Sequence, residues 1–123
     1  MEILSLGGVK MKLAFLCHPT NDMKQSLSYY RDILGFEEAW REGDHTVALK
    51  LEKNEEVQLM IEDDIEGVPP GGVFILDNVD EFYEKNKSIL NFVLEPMDIP
   101  PGRYAIFNDP NGNPFRIIDM TKE

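Results

Sequence analysis

The same order of elements occurs twice in this chain, and that repetition limits the folds open to it more than any single motif does. Residues 12–17 are an apolar run of strand length, closed by His18-Pro19-Thr20-Asn21. Asp22 followed by Gln25 is a capping pair for a helix whose Met23, Leu27, Tyr30 and Leu34 share one face, and Gly35 stops it. Residues 36–41 and 46–51 read as strands joined by the turn Glu42-Gly43-Asp44-His45. After a further turn at Lys53-Asn54-Glu55, Val57, Leu59 and Ile61 alternate with Gln58 and Met60 in another strand. The order then returns. Gly72-Val73-Phe74-Ile75-Leu76 is strand-like, Asn78 with Glu81 repeats the cap, and Val79, Phe82, Asn86 and Ile89 form the second helix stripe. Phe92-Val93-Leu94 is a short strand and residues 96–101 a loop, while 102–107 and 115–118 pair as a hairpin whose positive-φ corner is Asn111-Gly112. Pro114 cannot donate to a ladder, which places it at a strand start or an edge.

Each half therefore has one helix to cover one side of its strands and needs a partner for the other side. The expectation is an α+β domain of two modules, 11–61 and 72–119, joined by the polar linker 62–71 and preceded by an amino-terminal arm, 1–10. Two such sheets facing each other across a pseudo-twofold axis leave a concave, partly polar interior, the default place for a ligand.

A chain of 123 residues is one domain's worth. No apolar run approaches the ~20 residues a spanning helix needs, and the first ten residues lack the basic start and continuous apolar stretch of a signal peptide. With a single cysteine, Cys17, no intrachain disulfide is available, and a cytoplasmic location is expected. Cys17 reads as a small buried hydrophobe rather than a nucleophile. The net charge of −11 is concentrated: residues 54–84 hold ten carboxylates and no Lys or Arg. Such a surface repels phosphate backbones, so neither nucleic acid nor an anionic membrane is an expected partner. A cationic ligand would be attracted, although a solvated acidic face that favours solubility is the simpler reading and the one expected.

The run "NDMKQSLSYYRDILGF", Asn21 to Phe36, and "GRYAIFNDPNGNPFRII", Gly102 to Ile118, resemble the vicinal oxygen chelate superfamily, which includes glyoxalase I, extradiol dioxygenases, fosfomycin-resistance enzymes and bleomycin-resistance proteins. The resemblance covers residues 11–119. It implies paired βαβββ modules forming a curved mixed sheet around a cavity, helices outside, and a homodimer. In metal-dependent members the ligands come from the first and last strands of each module. The corresponding positions here are Phe15, Gln58, Val73 (or Gly71 if the alignment slips) and Arg116, of which only Gln58 has an oxygen to give.

A divalent ion in such a cavity needs about three or four His, Asp or Glu donors. The two histidines, His18 at a strand exit and His45 in a turn, do not have the spacing of a ligand pair, and a guanidinium at Arg116 opposes a bound cation. The expectation is no metal and no other cofactor. Glu56 or Asp119 could enter by a register slip, yet either would still face Arg116.

The candidate cavity residues are Phe15, Trp40, Gln58, Met60, Val73, Tyr104 and Arg116. Gln58 and Arg116 occupy equivalent module positions and are expected near one another. Arg116 either pairs with an acidic side chain or a backbone carbonyl, or presents its fork to an anionic group of a ligand. Trp40, expected on the same face as Glu38, is either a core or dimer contact or an aromatic wall. Met60 suits an adaptable wall, and Tyr104 shares a face with Ile106. The leading functional reading is a metal-free protein binding a small organic molecule. The alternatives are a lyase, isomerase or dioxygenase-like enzyme with a non-standard site, and an antibiotic-sequestering protein.

Overall fold

The computed structural model describes residues 10–52 and 56–123. The amino-terminal arm, apart from Lys10, and the turn at Lys53-Asn54-Glu55 lie outside the described residues. The first half runs β1 (Lys12–Pro19), α1 (Met23–Leu27), a π-helical turn (Ser28–Ile33), β2 (Glu37–Glu42), β3 (Thr46–Lys50) and β4 (Gln58–Glu62). The second runs β5 (Gly71–Ile75), α2 (Val79–Asn86), β6 (Asn91–Ile99), β7 (Gly102–Asn108) and β8 (Pro114–Ile118). No helix among the described residues is long and apolar enough to cross a membrane.

The two halves do not form separate facing sheets. β1 pairs with β5 antiparallel, so the strands make one curled mixed sheet in the order β2-β3-β4-β1-β5-β8-β7-β6. Each half contributes a parallel pair, β1 with β4 and β5 with β8, flanked by antiparallel strands. Strand alternation splits the core into three clusters. Leu27 packs on Val47, Leu49, Leu59 and Ile61 under the first helix, and Val79 on Leu76, Ala105, Phe107 and Ile117 under the second. The residues between those positions, Cys17, Met60, Val73, Tyr104, Ile106 and Ile118, form the third cluster on the concave side.

Asp22 and Asn78 cap the two helices, accepting from the backbone N–H of Gln25 at 3.0 Å and of Glu81 at 2.9 Å. The first helix departs from a plain α-helical stripe. Leu34 N–H donates to Tyr29 O, five residues back, and this wider turn leaves Leu34 half exposed while Met23 and Tyr30 stay packed on their cluster. Gly35, at φ +82°, ends the segment as expected. In the second helix, α2 closes at Asn86 and Ile89 is left exposed in the following turn.

Two strands also differ from the expectation. β6 continues through residues 96–99, which read as loop, because Pro96 sits on an edge strand at a register break between Leu94 and Met97, where no ladder hydrogen bond is demanded of it. β2 carries a bulge between Glu38 and Trp40. The extra residue, Ala39, resets the alternation. Glu38 opposes Leu49 and bonds Arg31 of the π turn at 3.2 Å, whereas Trp40 opposes Ala48 and joins the concave cluster, so the two do not share a face.

Candidate functional site

The concave side of the sheet encloses a cavity of about 550 Å³, within the range usual for small-molecule sites. Its walls take Phe15 from β1, Met60 and Glu62 from β4, Val73 from β5, Trp40 and Glu42 from β2, and Tyr104 and Ile118 from β7 and β8. The far end of β6 adds Met97, Asp98 and Ile99, the linker adds Asp64 and Ile65, and the β2–β3 turn adds His45. Phe15 and Trp40 meet edge to face, with ring centres 5.5 Å apart.

Five of the seven residues singled out from sequence, Phe15, Trp40, Met60, Val73 and Tyr104, stand in this wall. Gln58 and Arg116 do not. The strand register sets Gln58, Phe15, Val73 and Arg116 in one row across β4, β1, β5 and β8, so two strands separate the pair expected to meet. Gln58 Oε1 accepts the indole N–H of Trp40 at 3.1 Å, which fixes the ring in the wall. Arg116 is 1% exposed and lies under the linker: its Nη2 donates weakly to Val68 O at 3.4 Å, and Nη1 lies beside the backbone of Gly71. Its Nε and Nη1 have no hydrogen-bond partner among the described residues.

The groups the sequence reading missed are carboxylates. Glu62, next on the face of Gln58 and Met60 by simple alternation, is 5% exposed and accepts the Tyr104 hydroxyl at 3.2 Å. Burial, reinforced by Asp64, pushes its carboxyl up to about 7, against the opposing pull of the Tyr104 hydrogen bond and the Arg116 charge. Burial and the Glu62 charge raise Tyr104 in turn. Glu42 is raised by burial and by Asp64. His45 Nδ1 lies 2.7 Å from Asp63 Oδ1, and that hydrogen bond raises the imidazole. Cys17, fully buried, has its thiol pushed up to about 12 by burial, which suits an inert core residue. The signal for Glu62 was present in the period-two pattern of β4. The contributions of the linker and of β6 depend on closure of the sheet, which no local pattern reports.

Paired βαβββ modules curling one mixed sheet around a ligand-sized hollow define a class of protein. The chain belongs to the glyoxalase/bleomycin resistance protein/dioxygenase superfamily, whose family model matches residues 12–117. Among solved structures, an NAD-dependent benzaldehyde dehydrogenase from Legionella pneumophila is similar over 86% of this chain and 97% of its own, at 14% identity and a TM-score of 0.67. A hypothetical protein from Bacillus halodurans C-125 is similar over 89% and 94%, at 10% identity and a TM-score of 0.63. A superfamily member from Vibrio splendidus 12B01 is similar over 91% and 99%, at 24% identity and a TM-score of 0.54. At these identities the likeness is one of fold. No curated protein matches the chain.

The donor chemistry does not fit the metal that many members of the superfamily hold. The row Gln58, Phe15, Val73 and Arg116 offers two hydrocarbon side chains, a guanidinium and one amide whose oxygen is already engaged by Trp40. Among the described residues no three His, Cys, Asp or Glu side chains come together as a ligand group. Asp119, the carboxylate nearest in sequence to Arg116, is committed elsewhere: it accepts from the backbone N–H of Val79 at 2.7 Å and of Arg103 at 2.9 Å, and from the Thr121 hydroxyl at 2.9 Å.

Proposed function

We propose that this chain binds a small organic molecule in the concave cavity without using a metal. The observation that carries the reading is the wall itself, where Phe15, Trp40, Met60, Val73 and Tyr104 supply apolar and aromatic surface while the row that could grip an ion holds Arg116 and an engaged Gln58. Sequestration of an antibiotic is one special case of this function. The homodimer that the family resemblance implies belongs to the same proposal, and sedimentation of the purified chain as a single monomeric species would remove it.

The test uses protein purified without chelator. Metal analysis is expected to find no stoichiometric divalent ion, and planar aromatic probes are expected to alter emission from Trp40, the chain's only tryptophan, equally with and without EDTA. A full complement of a divalent ion, or probe binding abolished by EDTA, would overturn the metal-free reading. A second reading rests on one feature: the Glu62 carboxyl, held near neutrality beside the Tyr104 hydroxyl, could serve as the general base of a proton-transfer enzyme. Turnover of a bound compound that disappears in Glu62→Gln would select that reading. Recovery of the compound unchanged after prolonged incubation would remove it.

A further inference from the structure

The charged groups in the cavity wall are predominantly acidic. Among the described residues Glu42, Glu62, Asp64, Asp98 and Glu123 line it, with His45 the sole basic side chain and no Lys or Arg. Asp98 is already neutralised by Lys122 at 2.9 Å and Arg103 at 3.1 Å. Glu42, Glu62 and Asp64 have no cationic side chain within ion-pair distance among the described residues. Glu62 is the one built into the core: Oε1 takes the Tyr104 hydroxyl, and Oε2, with no hydrogen-bond partner among the described residues, belongs to a side chain that lines the cavity.

We propose that the ligand is an organic cation with an apolar or aromatic body, and that Glu62 is its counter-ion. This deepens the binding reading above and rests on it. The aromatic side of the cavity suits the same ligand, because Phe15, Trp40 and Tyr104 line it and the Trp40 N–H is spent on Gln58, so the indole brings aromatic surface, which attracts a cation, rather than a free donor. An anionic ligand would meet the carboxylates with no Lys or Arg among the described residues of the wall to receive it. A cation also offsets the cost of ionising a buried carboxyl, which neither a neutral nor an anionic ligand does.

The groups around Glu62 make the pairing pH-dependent. Asp63 and Asp64 on the linker raise its titration, Arg116 on β8 and the Tyr104 hydroxyl on β7 lower it, Cys17 on β1 stays a neutral thiol, and His45 reaches the same region through Asp63. Glu62 is mostly protonated at pH 6 and mostly ionised at pH 8, so affinity for a permanent cation should rise over that interval by up to about tenfold.

The experiment compares three ring-matched probes at pH 8 in EDTA, followed by amide chemical shifts: N-methylquinolinium, neutral quinoline and anionic quinaldate. The cation is expected to bind about tenfold more tightly than quinoline, with quinaldate weakest. Quinoline or quinaldate matching the cation would overturn the charge assignment and leave cavity binding standing. Failure of all three to shift cavity residues at millimolar concentration would remove both. Because N-methylquinolinium cannot lose its charge, a rise in its affinity from pH 6 to 8 that is absent in Glu62→Gln supports Glu62 as counter-ion; Tyr104 can still donate to the glutamine oxygen, so the variant keeps that contact. A flat profile in the unmodified protein, or the same slope persisting in Glu62→Gln through His45, overturns it.

Discussion

Glu62 concentrates the tension between folding and binding in one side chain. A carboxyl whose folded-state titration lies at about 7, above its ordinary value of 4.5, binds a proton in the native chain that the unfolded chain has already released. Between those values the native state holds more protons, so stability falls as pH rises. The stabilising contribution is complete below the unfolded value and is lost as pH passes through about 7. Glu62→Gln removes the charge while keeping an oxygen for Tyr104, so the variant should be more stable than the parent at pH 8, by roughly 3 kcal/mol at most, and nearly equal to it at pH 4.5. Urea unfolding at the two pH values measures this. A variant no more stable than the parent at pH 8 would show that the carboxylate is already compensated when ionised, with Arg116 the evident source.

Among the elements, what a local pattern can specify was legible in the sequence and what depends on a distant neighbour was not. Both helix caps, the Gly35 stop, the Gly112 corner at φ +85° and Pro114 as the first residue of β8 follow from side chains within a few positions of one another. The bulge at Ala39 is invisible to an alternation count, yet it decides that Trp40 faces the cavity. The strand beyond Pro96 was hidden because proline usually ends a ladder, and only the position of β6 at the sheet edge permits it. Asp119 belongs with these non-local devices. Its carboxylate ties the end of β8 to the first turn of α2 and to the start of β7, and although burial works to raise its titration, hydrogen bonds from Val79, Thr121 and Arg103 hold it below the ordinary range. Asp119→Ala strands two backbone donors at once and should cost roughly 3 kcal/mol, against about 1 kcal/mol for Asp22→Ala at an exposed cap. Thermal melts of the two variants make the comparison. Equal losses would mean that water replaces Asp119.

At the level of the molecule, the decisive event is the antiparallel seam between β1 and β5, which turns two modules into one curled sheet and gathers the linker, the end of β6 and the β2–β3 turn around one hollow. The repeat announced two modules, but no residue pattern announced the seam, since an edge strand reads alike whether it pairs with its twin or with nothing. Closure also brings like charges together. The chain carries −11 overall, and the ion pairs formed by its cations lie mostly at exposed positions, where each contributes little. Self-repulsion should therefore outweigh attraction among the surface charges at pH 8, and salt should relieve the repulsion by more than it weakens the attraction. Raising sodium chloride from about 20 mM to about 300 mM, where the Debye length shortens to roughly 6 Å, is expected to raise the melting temperature at pH 8. Near pH 4.5, where the charges of the sequence balance, the same addition should leave it almost unchanged. A melting temperature that falls with salt at pH 8 would mean that the exposed ion pairs hold the sheet against its own charge, and an equal rise at both pH values would assign the effect to general salting of apolar surface instead.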